Sequence, residues 1–260
     1  MKKNILVSWI LMIGMPGFSQ HNDSITINAS NISINALRSG TSRYLVYYKM
    51  GEGSSRKLYE LWSRTISFVT YNGKAAIKVA QEWESNDTIF HTASSILDKK
   101  TFSTLYHQSW WKRNGRTVNS SFDFTTKEAL KNGSTLKDQK DSASVGQWHA
   151  FERANTQYFL NWHLDLETFP LFPFKDAAVF KVNFYDPGFG EPRFVAYTVI
   201  GSAMLTGFDD QKIDCWLLVH GSLPKNREVF WVSKKTREVL KLEQEFNGNF
   251  RYKLKLGFNE

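Results

Sequence analysis

The sequence has one cysteine and six prolines in 260 residues. A single thiol, Cys215, excludes any disulfide within the chain, so the fold must hold by burial, which a chain of this length can manage. Cys215 lies in the apolar run Ile213-Asp-Cys-Trp-Leu-Leu-Val219 and is expected there as a small buried hydrophobe. Long apolar runs are also missing. Beyond residue 15 none approaches the length of a membrane span, so the mature chain is expected to be soluble. Residues 5–15 are apolar but too short to cross a bilayer with any margin. They follow the basic Met1-Lys2-Lys3 and precede Gly17-Phe18-Ser19, the pattern of an export leader cut after Ser19. No cysteine stands near that cut, which excludes a diacylglyceryl anchor. Nor is there a Gly-x-Ser-x-Gly elbow, a His-Glu-x-x-His pair or a phosphate-binding loop, so hydrolysis by a familiar nucleophile is not expected.

Aromatic residues, by contrast, make up 15% of the chain, a bias that favours β-structure or an aromatic-lined cavity. The dominant periodicity is two. Arg43-Tyr-Leu-Val-Tyr-Tyr-Lys49 reads as a strand, followed by residues 58–71, 74–84, 88–97, 101–112 and 117–124. Asn72-Gly73 and Asn114-Gly115 are strong hairpin signals, and Asn86-Asp87 marks another turn. Strands resume over 177–185, 194–206 and 212–220. The chain closes in a meander through 229–233, 239–246 and 250–256. In that meander Phe230 and Val232 oppose Val229, Trp231 and Ser233, while Leu240 and Leu242 oppose Val239 and Lys241. Residues 20–42 alternate weakly, as a loose N-terminal arm or a short edge strand, and residues 126–147 read as a polar loop or flap.

The middle of the chain changes character. Residues 148–166 fit helical spacing, with Phe151, Ala154, Tyr158 and Trp162 on one side. Phe169-Pro-Leu-Phe-Pro-Phe174 follows, and its two prolines exclude helix and central strand. The expected architecture is mainly β (α+β): one domain over 43–260, a curved antiparallel sheet or half-open β-barrel, with a helix-plus-loop insert near 148–174 on its concave side.

Two candidate sites lie on that insert. Trp162, Phe169, Leu171, Phe172 and Phe174 form either a ligand-facing lid or a plug that fills the barrel. His163, Asp165 and Glu167 share a face and have spacing that metal sites use, but one histidine leaves the ligand set incomplete. His91, His107 and His220 stand singly in strands. Trp110 and Trp111, with Tyr106, suggest a stacking platform for a sugar; adjacent strand residues face opposite ways, so one of the two tryptophans belongs to the core.

Four segments carry a family resemblance: Glu167-Thr-Phe-Pro-Leu-Phe-Pro173, Val182-Asn-Phe-Tyr-Asp-Pro-Gly188, Asp214-Cys-Trp-Leu-Leu218 and Phe230-Trp-Val-Ser-Lys-Lys-Thr-Arg-Glu-Val-Leu-Lys241. The chain resembles the domain of unknown function 3108 family of exported Gram-negative proteins. That resemblance implies a half-open barrel like those of periplasmic lipoprotein carriers, and it implies no catalytic residues. The function expected is that of a non-enzymatic periplasmic or secreted envelope protein binding an apolar ligand or lipid acyl chain. The alternative is a structural or protein-interaction module with a filled core, and a metal-dependent or glycan-acting enzyme ranks third. No cofactor is implied. The net charge of +8 suits an anionic lipid surface or simply solvates strand faces; nucleic acid is not expected as a partner of an exported chain.

Overall fold

The computed structural model describes residues 24–221 and 226–257. The expected leader and its cut after Ser19 lie outside the described residues. Among the described residues sixteen strands form one sheet. The first half comprises β1 (Ser24–Thr26), β2 (Gly40–Lys49), β3 (Arg56–Tyr71), β4 (Lys74–Ser85), β5 (Thr88–Asp98), β6 (Thr104–Arg113), β7 (Arg116–Asp123), β8 (Glu128–Lys131) and β9 (Ser134–Thr135). The insert holds helix α1 (Ser142–Ala154), β10 (Leu160–Asn161) and the single-turn helix α2 (Asp165–Thr168). The second half is β11 (Val179–Tyr185), β12 (Arg193–Thr206), β13 (Lys212–Gly221), β14 (Arg227–Ser233), β15 (Val239–Phe246) and β16 (Asn249–Lys255).

Local chemistry explains the meanders. Asn72-Gly73, Asn114-Gly115, Asn132-Gly133 and Asn247-Gly248 all take positive φ at both positions, as Asn86-Asp87 does. Two-residue hairpins need that backbone because its twist matches that of the flanking strands, and Asn and Gly tolerate it at least cost. The expected strands therefore form within a few residues of their predicted ends. The hairpin at Asn132-Gly133 sits in the segment read as a polar flap, which instead supplies β8, β9 and the start of α1.

The two meanders join through β2 and β16, which pair antiparallel and bring the two ends of the domain together in mid-sheet. The result is a large curved sheet, open rather than closed into a barrel. Its edges are short: β9 at one end, and at the other β1 and β10, both parallel to β11. Short edges offer little template for pairing with another chain. The segment expected as a loose arm is therefore docked where it is described, with Ile27 buried and Ser33 N–H donating to Leu171 O at 2.9 Å.

One face of the sheet wraps the insert. Val46, Val79, Val182, Phe230 and Leu242, from strands in both halves, meet Leu164, Phe169, Leu171 and Phe172 in a single core. Phe169 is at its centre, with ring centroids 4.5 Å from Phe230, 4.8 Å from Tyr197 and 5.5 Å from Phe172. A buried aromatic of this kind contributes roughly 1.5–3 kcal/mol from burial alone.

Two expectations fail for physical reasons. The helix of the insert begins at Ser142 and ends at Ala154, well before residue 166. Asp141 caps it, accepting from Ser144 N–H at 2.9 Å, and the poor helix formers Asn155 and Thr156 follow its end. In the closing meander a bulge between β14 and β15 pairs Val232 with Val239 although Trp231 pairs with Lys241. The extra residue, Leu240, packs instead with Ile213 and Cys215 on the other face, so Val239 joins Leu242 in the core. On β16 the polar residues Arg251 and Lys253 oppose Tyr48 and Val46, and Lys253 is buried.

Candidate functional site

Polar chemistry inside the sheet gathers around the insert. Arg64 sits on β3 between Trp62 and Ile66 on the inward face and is 1% exposed. Its guanidinium grips Glu167 with two hydrogen bonds, Nε to Oε1 at 2.8 Å and a second, shorter one to Oε2, and also donates to His163 O at 3.0 Å. Lys253 Nζ donates to Asp165 Oδ2 at 2.9 Å and lies 4.7 Å over the Trp62 ring. Burial of these charges is tolerable only because each has a partner. Burial pushes the Lys253 amine down to about 8 against the pull of Asp165. Burial also works against the Asp165 carboxylate, but Lys253 and Arg64 outweigh it and hold that group below its ordinary range.

Two of the three histidines that stand singly in strands, His91 and His107, converge here on His163, whereas His220 lies against Ala196 O. His91 Nδ1 lies 2.9 Å from Trp110 O, and its Nε2 lies 2.9 Å from His163 Nε2. A carbonyl only accepts, so His91 carries its proton on Nδ1. Burial, aided by His163, presses its pKa down to about 2, so it is neutral and its Nε2 accepts from His163 Nε2–H. His107 Nδ1 faces Ser95 Oγ at 2.8 Å and Asn161 Nδ2 at 3.2 Å. Burial pushes His107 well below its ordinary value as well, with His163 and His91 adding to the effect. Trp62, Trp83 and His163 stack face to face, with interplanar angles of 4° and 5°. Gln81 fixes the column by donating to His163 O at 3.0 Å.

A cleft of about 350 Å³ opens beside this column. Trp83, Trp162, His163, Asp186, Glu228 and Arg251 line it, with Arg193 over the Trp162 ring at 4.9 Å. Asp186 Oδ1, Glu228 Oε2 and Arg251 Nε are buried atoms without a hydrogen-bond partner. His163 Nδ1 is 3.7 Å from Asp186 Oδ1, too far for a direct hydrogen bond. Burial pushes the Glu228 carboxyl up.

The residues singled out from sequence thus divide. His163, Asp165 and Glu167 do meet at one place, but both carboxylates are engaged by cations rather than turned toward a vacant centre. Among the described residues no group of three or more His, Cys, Asp or Glu side chains could hold a metal ion. Phe169, Leu171 and Phe172 are fully buried in the core. Trp162 and Phe174 are partly buried; Trp162 reaches the cleft, whereas Phe174 stacks 6.1 Å from Trp216 under the Arg237 guanidinium. Arg64, Gln81, Lys253, Asp186, Glu228 and Arg251 were not foreseen. Arg64 left a signal, since a charge that alternates with Trp62 and Ile66 falls on an apolar face.

The family described as "Protein of unknown function (DUF3108)" matches residues 43–255. No curated protein matches the chain. Among solved structures, the beta-barrel-like protein of domain of unknown function DUF1849 from Brucella abortus is similar at 10% identity. That match covers 85% of this chain and 98% of that one, with a TM-score of 0.26.

Two tests follow from the buried charges. E167Q strands the Arg64 cation and should lower the unfolding free energy by about 3–5 kcal/mol in denaturant titrations, whereas the paired R64M/E167L exchange should stay close to wild type. A loss below ~1 kcal/mol for E167Q would count against the ion pair as the tie of the insert. The histidines set a pH dependence. The unfolded chain protonates His91 and His107 near the ordinary value of 6.5, and the folded chain does not until far lower. The unfolded state therefore binds more protons below that pH, and stability falls as pH drops from about 6.5. H107Q should flatten this decline by up to about 1.4 kcal/mol per pH unit between 6.5 and 4.5; parallel slopes for the variant and wild type would refute the assignment.

Proposed function

The chain belongs to the DUF3108 family, proteins of unknown function, and from that premise we propose that it is a binding protein holding a small polar ligand in the cleft beside His163. The observation that carries this reading is that Asp186, Glu228 and Arg251, each with one buried side-chain atom lacking a hydrogen-bond partner, line the same cleft. Buried polar atoms left alone cost about 1–3 kcal/mol each, so a group that satisfies all three is bound with a corresponding gain. Two acceptors and one donor suit a ligand with hydroxyl or amine donors and at least one acceptor. Trp162, stacked on Phe184 and covered by the Arg193 guanidinium, borders the site. Binding rather than catalysis is supported because Asp165 and Glu167 are committed to Lys253 and Arg64 and are not available as bases.

An acyl chain, the ligand expected from the insert, would have to displace Phe169, Leu171 and Phe172 from the core. Their complete burial favours, as the second reading, an interaction module with a filled interior. For either reading the leader pattern of residues 1–19 supports export to the periplasm or beyond. N-terminal sequencing of the chain from a Gram-negative host should find Gln20 first, and a cytoplasmic chain that keeps Met1 would rule export out.

Thermal unfolding of the purified chain against separate panels of monosaccharides, amino acids and dicarboxylates tests the cleft. A true ligand at a hundredfold excess over its Kd adds ~2.7 kcal/mol, a rise of about 5–10 °C for a domain of this size. R251M should abolish the rise. A shift that survives R251M, or no shift from any panel, would overturn the reading.

A further inference from the structure

We infer that the opposite face of the first meander binds a neutral oligosaccharide. Strand parity separates the two adjacent tryptophans. Trp111 turns inward and stacks on His91 with ring centroids 3.6 Å apart. Trp110 therefore faces away from the core, and it lines a groove of about 790 Å³ on the other side of the sheet.

Register shows how that groove is built. Arg43, Ser63, Glu82, Thr92, Trp110 and Asn119 stand opposite one another across six successive strands, β2 to β7. Thr41, Thr65, Ala80, Ser94, Gln108 and Ser121 form the neighbouring row. All twelve line the groove. Strand spacing makes each row roughly 24 Å long, enough for several linked sugar rings. The middle of the trough is floored by small side chains, and its walls carry hydroxyls and amides at regular intervals. Tyr106 Oη donates to Gln108 Oε1 at 3.0 Å, which orients that amide beside the indole.

The chemistry selects the occupant. Trp110 is half-buried and presents a ring on which the C–H face of a sugar can stack, while Ser, Thr, Gln and Asn match its hydroxyls. Charge complementarity points to a neutral ligand, because the one cation of the two rows, Arg43, is balanced by the one anion, Glu82. A nucleic acid would need several cations along its path. An acyl chain would need apolar walls, yet Ala80 is the only aliphatic residue in the two rows. A peptide adding as a strand needs a free sheet edge, and every strand from β2 to β7 is paired on both sides. This inference is independent of the interior cleft, which lies on the other face.

Isothermal titration calorimetry with cellopentaose, maltopentaose and chitopentaose, each against the purified chain, tests it. At least one should bind in the micromolar to millimolar range. W110A should weaken that binding at least tenfold, S94R should block the trough at a surface position with the same result, and R251M in the cleft should leave it unchanged. Binding that survives both W110A and S94R would overturn the inference. So would a failure of all three sugars to bind, whether or not anionic phospholipid vesicles or a heparin fragment bind in the same experiment.

Discussion

The bidentate contact between Arg64 and Glu167 is what ties the insert to the sheet. It joins residues far apart in the chain, one on β3 and the other on α2, and it has a second strut in Lys253 and Asp165, from the last strand to the same short helix. A charge in such a place has no cheap alternative: without its partner it would be stranded away from water. The insert therefore has one seating, with His163 facing His91 and its apolar side chains against both halves of the sheet.

Everything else in the interior follows from that seating. The phenylalanines of the Pro-rich stretch fill the space a closed barrel would leave, so the sheet curves around a solid plug. The polar column of Trp62, Trp83 and His163 marks where the plug ends and the cleft begins. The molecule has two concave surfaces: a small charged cleft at the margin of the insert, and a long trough on the far side of the first meander whose two rows carry one cation and one anion. Trp110 touches both faces, since its side chain lines the trough and its carbonyl accepts from His91 Nδ1, whose other nitrogen meets His163.

Most of the fold was legible. Asn-Gly pairs and period-two runs act locally, within a hairpin, so they can be read without knowing the rest of the structure. Even the overlooked hairpin at Asn132-Gly133 carried the same signal and was hidden only by its polar surroundings. The candidate site was legible in part. His163, Asp165 and Glu167 stood out because they share a short segment, and Trp110 and Trp111 because neighbours on a strand must part. The cations that engage the carboxylates come from β3 and β16, and nothing local says which strand will lie opposite the insert. Leu240 shows the same limit on a smaller scale: one bulge reverses the face of Val239, and alternation alone cannot reveal it.

What the sequence determined by itself was most of the strands and their turns, an insert between two meanders, and the family. These depend on backbone preference and on the pattern of apolar side chains, which are properties of short stretches. Only the tertiary structure decided that Phe169, Leu171 and Phe172 are fully buried, that Arg251 and Lys253 point inward, and which buried polar atoms remain unpartnered. Those outcomes depend on the pairing of β2 with β16 and on the ion pairs across the interior. Such long-range contacts are settled by the desolvation cost of the whole assembly, not by any one segment.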